Sequence, residues 1–123
     1  MLTIAVWVVI VFFVGMGLLA LASPEAITRT FGNPVLTDAG RNEVRAVYGG
    51  FGLAVAALLV LALQDPALRA GVLLAIAASV AGMAAGRIVA ALVERPRAFY
   101  PSWFYFAAET AMAAILYQAS RTL

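Results

Sequence analysis

Six side chains in this sequence could do chemistry together: Glu43, Arg45, Tyr48, Arg87, Tyr105 and Glu109. They comprise two carboxylates, two guanidiniums and two phenols, each inside or at the edge of a long apolar run. Arginines hold anionic or carbonyl groups through directed N–H donors, and a nearby acid supplies the counter-charge. Missing residue types narrow the chemistry further. The chain has no Cys, which excludes disulfides, thiolate nucleophiles and cysteine-ligated clusters. It has no His, the usual haem ligand and the commonest acid–base group near pH 7. It also lacks Lys, so no Schiff base can form. Carboxylates, arginines, tyrosines and a few hydroxyls remain, and nothing in the pattern predicts a cofactor or a metal centre.

The elements that must position these groups follow from composition. The 123 residues are 65% hydrophobic and 11% charged, with a mean hydropathy of +1.02. Soluble domains carry about 25% charged residues. This is the composition of an integral membrane protein. A formal charge of +2 without a basic run or stripe excludes a nucleic-acid partner.

Four spans are predicted, at approximately 3–22, 43–63, 67–93 and 102–119. The first is about 20 residues long, enough for a hydrocarbon core of roughly 30 Å. Ala20-Leu21-Ala22 before Ser23 resembles a signal-peptide cleavage site, but no basic n-region precedes it. Its apolar part also exceeds the usual ~7–15 residues, so it is read as a retained helix. Ser23-Pro24-Glu25 then marks a helix start, with Ser as cap and Pro at the first position. The segment to Phe31 predicts a short amphipathic helix at the interface, closed by Gly32. Asn33-Pro34 breaks the chain, and Thr37 or Asp38 caps the next helix. Gln64-Asp65-Pro66 is too short a connection for anything but antiparallel neighbours. The third span contains Gly82-x-x-x-Gly86, a close-packing pattern that does not name its partner. Glu94-Arg95-Pro96-Arg97 ends it, and Phe99 to Tyr105 forms an aromatic belt. The fold class predicted is all-α: one four-helix transmembrane bundle over 1–123, with a short interfacial helix after the first span.

This topology brings the polar residues to one half of the bundle. Arg87 lies about seven residues, or ~10 Å, before Glu94; Glu109 lies about ten residues, or ~15 Å, beyond Phe99. A charge at mid-bilayer costs at least ~2.5–3.5 kcal/mol, so Glu109 must be paired, neutral or wetted. Arg87 is the economical partner, with Arg45 as alternative or addition. Tyr48 and Tyr105, one turn from Arg45 and Glu109, would point to the same region. The plainer alternative is that the pair fixes register, the tyrosines pack, and the interfacial charges of Glu43 and Arg45 are solvated. Glu94, Arg95, Arg97, Asp65 and Arg69 read as ordinary loop and turn residues.

The run Asn42-Glu43-x-Arg45-Ala46-x-Tyr48-Gly49-Gly50, Gly86-Arg87 in the next span and a Glu in the fourth resemble domain-of-unknown-function family 4345. That family comprises small bacterial four-helix membrane proteins, similar in layout to DoxX-like proteins. The resemblance implies a multi-pass bundle in a bacterial cytoplasmic membrane. It implies Glu43, Arg45, Tyr48 and Arg87 as motif positions, with no catalytic role attached.

Three functions fit. One is a module that binds or carries an amphipathic small molecule, such as a lipid headgroup or a quinone. Another is an accessory or homo-oligomer-forming subunit of a larger membrane complex, motivated by the glycine pattern. The third is a membrane enzyme or proton-coupled carrier in which Glu109 cycles between protonated and ionised forms; an enzyme is the less favoured reading. Arg29, Arg41, Arg95 and Arg97 against Arg69 and Arg121 weakly place the loops after the first and third spans in the cytoplasm.

Overall fold

Every element among the described residues is helical, and none is a strand. The structure, a computed structural model, describes residues 1–33 and 36–123. The Pro34 half of the expected Asn33-Pro34 break lies outside the described residues. In chain order the elements are α1 (Leu2–Ala22), α2 (Pro24–Arg29), α3 (Asp38–Val44), a π-helical stretch (Arg45–Gly50), α4 (Phe51–Gln64), α5 (Pro66–Val93) and α6 (Ser102–Thr122).

Among the described residues, three helical runs are long and apolar enough to cross a membrane: Leu2–Ala22, Asp38–Gln64 and Pro66–Val93. Their outward surfaces suit lipid rather than water. Along α1, Ile4, Val8 and Val11 are 66%, 63% and 67% exposed, a face that only an apolar medium leaves without penalty. The fourth expected span is a helix of 21 residues, about 32 Å long. It is long enough to cross, but Glu109, Thr110, Tyr117, Gln118 and Ser120 make it the least apolar of the long helices.

The chain divides into two compact units, Trp7–Val60 and Leu61–Leu123 with Met1–Val6. In the first, α1 runs antiparallel to the π-helical stretch and the start of α4, and glycines set the approach. A Cβ on Gly17 would stand 2.9 Å from Leu53 Cγ and 3.1 Å from the Gly49 carbonyl. One on Gly49 would stand 2.7 Å from Leu21 Cδ2. Neither position has room for a side chain without movement.

Polar bonds order the segment between these helices. Thr37 caps α3 by accepting from the Gly40 amide at 3.0 Å. Arg41 Nη1 donates to Glu25 Oε1 at 3.3 Å and to the Leu36 carbonyl at 2.8 Å, and Arg41 Nη2 pairs with Asp38. Backbone hydrogen bonding at Glu25 holds its carboxyl below the ordinary 4.5, and Arg41 then Arg45 add to this against a burial penalty. Ser23 stands at the cap of α2, but its side chain makes no capping bond. Pro24 supplies that helix start instead, buried at the first position with its φ preset. Gly32 follows at φ +87°, the left-handed conformation that closes a helix.

In the second unit, α5 packs against α6. Leu73, Ile76, Ala77, Val80 and Ala84 make the buried face of α5, at helical spacing. Glu109, Met112, Leu116 and Ala119 make that of α6. Asp65 caps α5 by accepting from the Ala67 amide at 2.9 Å. Arg69, expected as a plain turn residue, closes helix ends. It donates from Nε to the Ala62 carbonyl at 3.0 Å, from Nη2 to Leu63 at 3.0 Å and from Nη1 to Leu123 at 3.3 Å. Terminal helix carbonyls have no partner within their own helix, and this one cation serves the ends of both α4 and α6.

Candidate functional site

Arg87 and Glu109 meet because each lies about 10 Å from the same end of an antiparallel pair. Arg87 is six residues before the last residue of α5, and Glu109 is seven after the first of α6. The ~15 Å expected for Glu109 counted Phe99 to Pro101 as helix. Those residues are bend and turn, so they add no helical rise.

The contact is a two-bond fork. Arg87 Nε donates to Glu109 Oε2 and Arg87 Nη2 to Oε1, both at 2.7 Å. This is the charge-assisted bidentate geometry to which a guanidinium is suited. The Glu109 side chain is 3% exposed and that of Arg87 25%. No buried side-chain polar atom among the described residues lacks a hydrogen-bond partner, so the carboxylate is fully served where it is most deeply enclosed. Tyr105, one turn before Glu109, offers its ring to the cation, with Arg87 Cζ 5.5 Å from the ring centre. Tyr100 and Phe104 lie 6.2 and 5.3 Å from the Tyr105 ring, centre to centre. The result is an ion pair flanked on one side by a cluster of three aromatic rings.

Of the residues selected from the sequence, Glu109 and Tyr105 are both brought against Arg87. Glu43, Arg45 and Tyr48 belong to the other unit. There Glu43 and Arg45 are exposed and Tyr48 is half-buried. Arg45 Nε donates to the Leu21 carbonyl at 3.0 Å, closing the end of α1. The residues from Arg45 to Gly50 form the π-helical stretch, a rare geometry met mostly as single turns inside α-helices and frequent at functional sites. Sequence reading gave no sign of it.

Arg69 was also passed over. The turn before α5 is so short that a first-turn arginine must lie near the unpartnered carbonyls ending α4, and that signal was present. A separate groove of about 360 Å³ runs between α5 and α6, lined by alanines with Leu74 and Tyr117. It holds no charged side chain and therefore little chemistry. Among the described residues no cluster of acids could hold a metal ion.

Fold and site together define a class: an all-helical protein with helices long and apolar enough to cross a membrane and a buried, bidentate arginine–glutamate pair. The chain matches the family described as Domain of unknown function (DUF4345) over residues 1–120, and it belongs to that family. No curated protein and no solved structure matches it.

Proposed function

We propose that this protein binds or carries an amphipathic small molecule, with a lipid- or quinone-like polar group meeting Arg87, Glu109 and Tyr105. In this reading the four long helices are the spans of one multi-pass bundle in a bacterial cytoplasmic membrane. The observation that carries it is the Arg87–Glu109 fork, enclosed on the Glu109 side and reachable on the Arg87 side. Ionisable residues within membrane helices serve function by default, because hydrocarbon packing would hold the helices without them. The aromatic cluster beside the pair supplies a face on which a ring or an alkyl chain packs.

The test is extraction of protein purified in mild detergent, followed by mass spectrometry of what accompanies it. A defined small molecule should copurify with the wild type and be lost from Arg87→Ala that retains its helical circular dichroism. If nothing copurifies, and Arg87→Ala lowers expression alone, the proposal fails.

A second reading, an accessory or oligomer-forming subunit, draws on α5. A Cβ at Gly71, Gly82 or Gly86 would meet nothing within 4 Å, so this helix face leaves space for a close neighbour. Crosslinking in native membranes separates the two readings. A monomer there disfavours the second and leaves the first intact.

A further inference from the structure

We infer that the polar group accepted by this site is uncharged. This deepens the binding proposal and rests on it. Both Glu109 oxygens already receive an N–H from Arg87, so the pair is neutral as a unit. An incoming anion has two routes. It can displace Glu109 from the fork, leaving a carboxylate that is 3% exposed without its partner. Otherwise it joins the pair as a third charge and gives the cluster a net negative sign. Both routes are unfavourable where the dielectric is low and water scarce. A cation meets the mirror problem, because Arg87 lies between it and the carboxylate on the reachable side.

An uncharged carbonyl, amide or hydroxyl escapes both penalties. It meets the guanidinium of Arg87, whose side chain is 25% exposed, and leaves the net charge at zero. The rings of Tyr105, Tyr100 and Phe104 accept the apolar remainder of such a molecule. The ligand class is therefore an uncharged amphiphile with a hydrogen-bonding head, rather than an anionic lipid or a free carboxylate or phosphate.

The test compares two ten-carbon probes on the full chain in lipid nanodiscs. One is decanamide, uncharged; the other is decane-1-sulfonate, ionised at any working pH. Binding is read by native mass spectrometry. The double variant Arg87→Leu/Glu109→Leu serves as the baseline for simple partitioning into the disc. Decanamide should bind the wild type at least roughly tenfold tighter than the sulfonate after that correction. Glu109→Gln, which leaves Arg87 charged without its counter-ion, should reverse the order.

Equal or tighter sulfonate binding to the wild type would overturn the inference while leaving the binding proposal standing. If neither probe binds above baseline, both fall. Should Glu109→Gln fail to fold, the wild-type comparison alone decides. A folded Glu109→Gln that keeps the wild-type order would overturn the electrostatic argument.

Discussion

Arg87 and Arg45 are the same side chain set to different work. Arg87 lies in the Leu61–Leu123 unit and gives two N–H groups to a buried carboxylate. Arg45 lies in the Trp7–Val60 unit and gives one to the carbonyl that ends α1. The helix pairs around them differ likewise. The α1–α4 approach is set by glycines, whereas α5 and α6 are tied by charge near one end and by Arg69 near the other. The difference teaches that an arginine inside an apolar sequence is not by itself a ligand site. What separates the two is burial of the acceptor: a carboxylate enclosed by the protein needs its cation, while a helix-end carbonyl near the surface can use water.

The sharpest way to break this contrast is to remove the cations. Arg87→Ala strands Glu109 and is expected to lower stability by about 3–5 kcal/mol, the usual loss on splitting a buried pair. Thermal unfolding in detergent measures it. Arg87→Leu/Glu109→Leu should recover most of that loss, because no charge is then left unpaired. Full recovery would also show that the pair adds little net stability, as expected if it is kept for binding.

Arg69→Met comes next. It removes donors to three carbonyls and should cost about 1.5–3 kcal/mol, in the range for hydrogen bonds to charged groups. Faster amide exchange at the end of α6 would accompany it.

The glycine contact offers a test in which the sign changes. Gly17→Ala meets the Gly49 carbonyl and should destabilise by about 1–3 kcal/mol. Gly15→Ala, with nothing within 4 Å of its Cβ, should instead stabilise by roughly 0.5–1 kcal/mol through helix propensity. If both destabilised alike, close packing would not be what Gly17 provides.

The smallest effect is one of pH. The Glu25 carboxyl is held below its ordinary 4.5 in the folded chain. Its contribution is therefore complete above that value and is lost as pH falls below 4.5 through the folded pKa. Amide exchange across α2 and α3 should quicken over that window in the wild type and be flat in Glu25→Gln.

Much of this arrangement was legible in the sequence, for reasons that can be named. Ser23-Pro24 and Glu94-Arg95-Pro96 mark helix boundaries through backbone chemistry, so the ends at Ala22 and Val93 were readable. The Arg87–Glu109 pair was readable because a carboxylate inside a long apolar run must find a partner and the topology offered few. The π-helical stretch was not: Arg45-Ala46-Val47-Tyr48-Gly49-Gly50 is too short and too mixed to show a hydrophobic period that one extra residue could interrupt. Arg69 reads as an ordinary turn residue because its type and position suit one, although the carbonyls ending α4 need a donor and receive it from this side chain. Arg45 was selected by its neighbours Glu43 and Tyr48, whereas its bond goes to Leu21 on a helix distant in sequence.

The π-helical stretch also bears on the length of the chain. A π-turn holds one more residue than an α-turn would between the same flanking helices. Deleting a single residue between 45 and 50 would let that turn relax to α geometry and leave the side chains on either side facing as they do. The same deletion inside α5 would swing everything beyond it by about 100° around the helix and carry Arg87 away from Glu109. Of these two helical runs, only the one through the π-turn has a place where the gene could lose a codon without losing the register.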